Sequence, residues 1–340
     1  MRRLAVIGAG GMGRFHAETL LALPGVELAA IADPYPHPDL DRFDVPVSTD
    51  VDACAAEGWD GVVIASPDNT HSALTLLALD AGSRVLCEKP LSHDLAGARA
   101  VIDSEVAIGE RRVQVGFMRE VDPAHAALAE QLAHLGDLQY LRCTHRNTNT
   151  EARPPAMVLV QSLIHDIHTV RWLGGEIVDV DARAIPRPGG LLHVLLVLRL
   201  ATGATATVEF SDDGPAYSVQ VEATTPDGVV SSGGTMEPRP RREGRATETA
   251  SGAAAEQTER SESATVGSEA GDLDWFGWFA EAYRIQDRQW VESLSGPSAI
   301  GPSAADGLAA QLVAEAALVS IAESRTVEVA PFEVPELYRP

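Results

Sequence analysis

The residues best suited to chemistry begin with Gly8, Gly10 and Gly13, spaced G-x-G-x-x-G directly behind the apolar run Leu4 to Ile7. A strand that enters such a turn and leaves it as a helix builds a phosphate cradle. The first glycine makes the tight turn, the second lets backbone approach a pyrophosphate, and the third lets helix pack on strand. Free N–H groups and the positive end of the helix dipole then face the phosphates, so Gly11 and Met12 join the glycines as expected cofactor contacts. Asp33 ends the next apolar run, Val26 to Ala32, where a carboxylate accepts hydrogen bonds from the adenosine ribose hydroxyls. Pro34 and Tyr35 follow, and no Arg or Lys adjoins to accept a 2′-phosphate, which favours NAD over NADP.

A second group lies on the stretch Gln161 to Gly174, whose apolar spacing is helical and which Gly174-Gly175 stops. Gln161, His165 and His168 stand at i, i+4 and i+7 and share one face of that helix, whereas Asp166 points elsewhere. An imidazole on such a face can move protons near neutral pH. Two histidines three apart also suit a metal, but a third ligand is missing, and no metal is expected. The three cysteines, Cys54, Cys87 and Cys143, are too scattered for a zinc cluster or a disulfide framework.

The elements that must position these groups alternate in the first part of the chain. Strands at Val26 to Ala32, Trp59 to Ser66, Arg84 to Cys87 and Val113 to Phe117 are separated by helices at Val51 to Glu57, Ser72 to Ala81 and Leu95 to Gly109. Tyr35 to Asp50 is rich in turns and has no clear period. Alternation of this kind predicts an α/β, doubly wound parallel sheet over residues 1–120. Ligands of such sheets bind beyond the carboxyl ends of the strands. Ser66, Asn69 and His71, with Glu88 and Lys89, are therefore expected to border the cofactor.

Residues 121–340 read differently. A helix at Ala124 to Leu135 and a strand at Leu138 to His145 precede the histidine helix. Four strands then follow in sequence, at Ile177 to Ile185, Leu191 to Leu200, Thr205 to Ser211 and Tyr217 to Ala223. They predict an α+β domain with a large, mostly antiparallel sheet. Ser231 to Gly271 is nearly free of large apolar residues and reads as a mobile insertion. Aromatic residues from Trp275 to Tyr283 open a helix to about Leu294, and a last helix runs to about Ser324.

Hydrophobic residues make up 45% of the 340, enough for packed cores, and the formal net charge is −23. That acidity argues against nucleic acid and anionic membranes as partners, because both require a basic footprint. Met1 to Leu4 runs straight into the first strand and leaves no room for a signal peptide, and no apolar run is expected to span a bilayer. A cytoplasmic protein is expected.

The glycine loop, the Asp33 carboxylate, Ser66-Pro67 with His71, and above all Val85-Leu86-Cys87-Glu88-Lys89-Pro90-Leu91 together resemble the glucose–fructose oxidoreductase, inositol dehydrogenase and rhizopine-catabolism (Gfo/Idh/MocA) family. The first domain then implied is a Rossmann fold. The resemblance implies that Lys89 lies near the nicotinamide and the reacting oxygen of a substrate. Phe117-Met118-Arg119 with Asp122-Pro123, Arg146-Asn147 and the Asp306-Gly307 helix opening are similar to the inositol dehydrogenase branch, with Glu120 replacing a basic residue and Val121 an aromatic one. That branch implies substrate contacts at Met118, His145, Asn147 and His168. Its helix pattern, Asp-x-x-x-His-x-x-Asp, makes His165 catalytic but puts Gln161 and His168 where acids belong. Gln161 is then expected to orient His165 without raising its basicity.

The function implied is an NAD-dependent oxidoreductase passing hydride between nicotinamide and a secondary alcohol or ketone of a cyclitol or sugar. A homo-oligomer, dimer or tetramer, built on the exposed face of the second sheet is implied too. Two alternatives stay open: an NAD-requiring glycosidase or lyase with no net redox change, and a non-catalytic NAD or sugar sensor.

Overall fold

The computed structural model describes residues 1–148, 152–232, 237–238 and 274–339. The expected insertion at 231–271 lies almost wholly outside the described residues. Six strands form a parallel sheet: β1 (Arg2–Ile7), β2 (Val26–Ala32), β3 (Val47–Ser48), β4 (Gly61–Ile64), β5 (Arg84–Cys87) and β6 (Val113–Val115). Their order is β3-β2-β1-β4-β5-β6, so the chain reverses its direction of winding beside β1. Helices α1 (Gly11–Leu21), α2 (Val51–Ala55), α3 (His71–Asp80) and α4 (Leu95–Ile108) connect the strands. The four residues of β4 are all buried, as a strand covered on both faces must be. Within the turn-rich stretch the chain makes a 3-10 helix, Pro38–Phe43, and then adds β3 to the edge of β2. A two-residue edge strand is too short to leave a periodic trace.

The second sheet has eight strands in the order β13-β12-β11-β7-β10-β9-β8-β14. They are β7 (Tyr140–Thr148), β8 (Ile177–Arg187), β9 (Gly190–Leu200), β10 (Thr205–Ser211), β11 (Asp213–Thr224), β12 (Gly228–Ser231), β13 (Glu237–Pro238) and β14 (Val327–Glu328). Among the described residues only the β7–β10 pair is parallel, and the other pairings are antiparallel. Along β9, Leu196, Leu198 and Leu200 face the core while Leu195, Val197 and Arg199 face out, which is the period-two signature of a sheet covered on one side.

Helices α5 (Pro123–Leu132), α6 (Pro155–Met157), α7 (Ile164–Gly174), α8 (Asp274–Ser293) and α9 (Ala304–Glu323) complete the molecule. Helix α9 packs on β8, α4 and α7 and so joins the two sheets. A capping box starts it: Ser303 Oγ accepts from Asp306 N at 3.2 Å, and Asp306 Oδ2 accepts from Ser303 N at 2.8 Å. Against expectation, this helix is long and apolar enough by composition to cross a bilayer. Its residues from Ala304 to Ala317 are nearly all buried, so its apolar surface is committed to the core.

The histidine segment departs from a plain α-helix. Residues Val158–Leu163 form a π-helical stretch, and the α-helix starts only at Ile164. Gln161 lies within this wider turn, and His165 lies in the first turn of the α-helix that follows.

The glycine loop is packed to contact. Gly8 has φ +89° and its absent Cβ would lie 2.5 Å from Ser66 backbone; that of Gly13 would lie 1.8 Å from Gly8 O. Gly13→Ala must push α1 off β1, and we expect a stability loss of about 1–3 kcal/mol in denaturant melts. Gly11→Ala, whose Cβ meets nothing within 4 Å, should melt no earlier than the wild type.

Candidate active site

The glycine loop is open where a phosphate needs it open. A Cβ on Gly10 or Gly11 would meet nothing within 4 Å, so backbone N–H groups at the start of α1 are accessible. Asp33 reaches the same loop: its Oδ2 accepts from Ala9 N at 2.7 Å and its Oδ1 from Tyr35 N at 2.8 Å. The donor set fits a dinucleotide, with the pyrophosphate over Gly10 and Gly11 and a ribose beside Asp33. Met12 packs against the cluster around Phe15 and Met118. Ser66 lies behind Gly8, its hydroxyl 2.6 Å from that of Thr70, and Asn69 is exposed on the following turn.

The side chains of two residues expected at the cofactor, His71 and Glu88, are hydrogen-bonded within the protein. His71 is buried, with Nδ1 2.7 Å from Pro90 O and Nε2 2.8 Å from Ser66 O. Burial opposes its charge, but acceptors on both sides and the Cys87 sulfur hold its pKa up to about 9. It straps the β4 and β5 loops together. Glu88 is also buried, 3.1 Å from His16 Nε2, while His16 Nδ1 lies 2.9 Å from both oxygens of Asp287 on α8. Burial disfavours the imidazolium, yet the two flanking carboxylates keep the His16 pKa up to about 10. Nothing in the glycine-loop motif signals His16 or Asp287, whose contact depends on α8 returning from 271 residues away.

Beyond the carboxyl ends of the parallel strands lies a cavity of about 210 Å³, and it brings together Lys89, Met118, His145, Asn147, Gln161 and His165. Lys89 Nζ donates to Gln161 O at 2.8 Å, a bond from the end of β5 to the π-helical turn. Burial lowers the Lys89 pKa below its usual 10.5, with Glu88 and Asp68 opposing the shift. His165 is 7% exposed and packs edge-on to Phe117, and its Nδ1 has no protein partner. Burial, and then the charges of Lys89 and Arg119, drive its pKa well below 6.5, so the ring is neutral.

The weak basicity expected of His165 is therefore present, but not through Gln161. The Gln161 amide turns away and donates from Nε2 to Asp68 Oδ2 at 2.8 Å. The Gln161 amide is thus bonded to Asp68 rather than to His165.

Residues that no motif pointed to complete the wall. Tyr217, Tyr283 and Arg153 line the cavity, the tyrosines coming from β11 and α8. Behind them Arg119 Nη1 donates to Asp166 Oδ1 at 2.6 Å, and Asp166 Oδ2 lies 2.6 Å from His145 Nδ1. Burial raises the Asp166 pKa, but Arg119 and His145 outweigh it and keep the carboxylate ionised. Asp166 thus points away from His165, as its helical position requires, and serves His145 instead. His145 Nε2 is 3.0 Å from Asn147 Oδ1.

His168 does not reach the cavity, contrary to expectation. It stacks on Phe117 at 4.0 Å and 8°, and its Nε2 lies 2.8 Å from Glu120 Oε1. Two of the four residues that depart from the inositol-dehydrogenase-like pattern, Glu120 for a base and His168 for an acid, are therefore partners. The exchange reverses the polarity of one contact and leaves its place in the fold intact. Glu120→Arg and His168→Asp should each destabilise, and the double variant should recover. A double-mutant cycle from thermal or denaturant melts should give a coupling of roughly 0.5–3 kcal/mol.

Comparison with known proteins agrees with this geometry. Residues 2–117 match the oxidoreductase family with an NAD-binding Rossmann fold, and residues 126–231 match the GFO/IDH/MocA C-terminal domain. Inositol 2-dehydrogenase 1 of Saccharopolyspora erythraea is 35% identical over 357 residues, covering 99% of this chain and 98% of that protein. Inositol 2-dehydrogenase of Rubrobacter xylanophilus is 35% identical over 352 residues, covering 99% and 95%. The fold is shared with myo-inositol dehydrogenase from Lactobacillus casei, solved with NAD(H) and myo-inositol, at a TM-score of 0.84, 24% identity and full coverage of both chains. A putative myo-inositol dehydrogenase from Sinorhizobium meliloti superposes at 0.79 with 26% identity, covering 97% of this chain and 100% of that one. With both family domains matched and a relative 35% identical over nearly its whole length, the chain belongs to the GFO/IDH/MocA family of NAD-binding oxidoreductases.

Proposed function

We propose that the protein is an NAD-dependent dehydrogenase that oxidises a secondary alcohol of an inositol-like cyclitol or a sugar, or reduces the matching ketone. One observation carries this reading. Lys89, from the end of β5, and His165, from α7, line the same cavity although 76 positions separate them, and the Lys89 bond to Gln161 O fixes their approach. Named relatives that are inositol 2-dehydrogenases over their whole length support the substrate class.

The bound dinucleotide supplies the hydride acceptor. The chain's own groups handle the alcohol. Lys89, an ammonium with a carbonyl partner, donates to the hydroxyl oxygen and stabilises negative charge there as the carbon–hydrogen bond breaks. His165, neutral at the cavity wall, accepts the hydroxyl proton. His145, held by Asp166, and Asn147 hydrogen-bond neighbouring hydroxyls, and Met118 and the tyrosines supply the apolar wall that limits water.

We further propose self-association through the open face of the eight-stranded sheet. Ile185, Leu195 and Val197 are exposed there, 55%, 38% and 38% respectively, on adjacent strands. Replacing Leu195 and Val197 together with Lys should reduce the mass measured by analytical ultracentrifugation to that of one chain.

Absorbance of NADH across a panel of polyols and sugars tests the main reading; release of a leaving group without NADH would turn it toward a transient-oxidation lyase. Lys89→Met should cut turnover by about 10²–10⁴-fold. The same variant should still bind NAD, measured by calorimetry. The pH profile has a defined sign. A base with a depressed pKa works as soon as pH exceeds that low value, so the acid limb of kcat/KM should fall well below pH 6.5. Lys89 must stay protonated, so the basic limb should lie below pH 10.5. An acid limb at or above 6.5 would remove His165 as the neutral base.

A further inference from the structure

Lys89 is the only lysine among the 340 residues, and the other 25 strongly basic side chains are arginines. An arginine stays charged wherever it lies, whereas a buried lysine can lose its proton. This one lysine stands at the cavity, where the reading above requires an ammonium. Its surroundings must therefore hold a charge that burial opposes.

A closed ring of contacts fixes those surroundings. On one side Gln161 supplies two links: its carbonyl accepts from Lys89 Nζ at 2.8 Å, and its amide Nε2 donates to Asp68 Oδ2 at 2.8 Å. On the other side His71 joins the loops that carry Lys89 and Asp68, with Nδ1 2.7 Å from Pro90 O and Nε2 2.8 Å from Ser66 O. The 3-10 turn Asp68–Thr70 is tightened in place, since the Thr70 hydroxyl donates to Pro67 O at 2.7 Å. Asp68 is thus held beside Lys89 both from the parallel sheet and from the histidine segment.

The charges that face Lys89 come from several elements. Glu88, the preceding residue, and then Asp68 favour the ammonium, while Arg153 and Arg119 oppose it. His165 on α7 is neutral, and His145 and the two tyrosines line the remaining wall. The two acids differ in their fixing. Glu88 lies 3.1 Å from His16, whose ring is protonated between two carboxylates. Asp68 bonds a neutral amide, on the same residue whose carbonyl receives Lys89.

We propose that Asp68 is a positioning residue that holds Lys89 in its charged form, supplying from the loop after β4 the negative charge that the inositol-dehydrogenase-like pattern carries at position 161. The inference rests on the dehydrogenase reading above and completes its site. Asp68 lies outside the cavity lining and acts through Lys89, not on the substrate. Gln161 couples the two, so the acid and the lysine move as a unit with the turn that launches the histidine helix.

The single lysine makes a direct test possible. Lysine labelled with 13C at Cε gives one signal in the full chain, and its pH titration in the NADH complex reads Lys89 without turnover. The basic limb of kcat/KM, from NADH formation across the polyol panel, gives the second readout. Asp68→Asn keeps the shape of the side chain and removes its charge. An ammonium deprived of a nearby anion gives up its proton at lower pH, so the Lys89 midpoint should fall by about one unit and the basic limb should fall with it. Gln161→Glu adds an anion on the same bond and should move both upward. Asp68→Asn combined with Gln161→Glu exchanges the ends of that bond, and both midpoints should return toward the wild-type value.

A Lys89 midpoint unmoved in Asp68→Asn would overturn the inference. A fall that the double variant does not reverse would overturn it too, because that pattern follows disturbed packing and not charge. Midpoints that follow the charge, with no NADH from any polyol or sugar, would support this inference and overturn the dehydrogenase reading. NADH formation with an unmoved midpoint would do the reverse.

Discussion

The bond from the Lys89 ammonium to the backbone carbonyl of Gln161 is the interaction on which the rest of the site depends. It ties the end of a strand in the parallel sheet to the turn that launches the histidine helix, and so fixes the approach of Lys89 to His165 across the cavity they both line. A π-helical turn leaves carbonyls displaced from the ordinary i→i+4 ladder, which is why such turns recur at functional sites. Here one of those carbonyls receives a lysine. The Lys89 ammonium is thereby hydrogen-bonded to a neutral carbonyl, with the Glu88 and Asp68 carboxylates acting on its charge from nearby.

Around that bond the molecule buries charged groups in sets. Glu88, His16 and Asp287 link β5, α1 and α8; Arg119, Asp166 and His145 link the crossover segment, α7 and β7. Each set joins elements distant in sequence. Breaking one partner of such a set strands the others in a low dielectric, so these groups determine the relative placement of elements even where their net contribution to stability is small. His165 is the exception. It is buried with no carboxylate beside it, and its neutrality follows directly.

The departures from the inositol-dehydrogenase-like pattern separate into two kinds. Glu120 and His168 answer one another across 2.8 Å, away from the cavity, and preserve a structural contact with its polarity reversed. Gln161 has no such compensating partner that restores an acid to the cavity wall. It hands its amide to Asp68 and leaves the wall to Lys89, Arg153 and two histidines.

Much of this was determined by the residues alone. Glycines at 8, 10 and 13 can serve only a chain that must turn tightly and admit close neighbours, and the absent Cβ atoms show both needs at Gly8 and Gly13. Continuous apolar runs and alternating elements determined the parallel sheet, and the sequential strands determined the antiparallel one, because both patterns are local consequences of burial. Tertiary structure decided the partners. Whether Asp166 serves His165 or His145, whether His168 meets substrate or Glu120, and that Arg153, Tyr217 and Tyr283 would meet at Lys89, depend on contacts between segments far apart in the chain. The π-turn before Ile164 was likewise invisible, because apolar spacing reports the average period of a helix and not one wider turn within it.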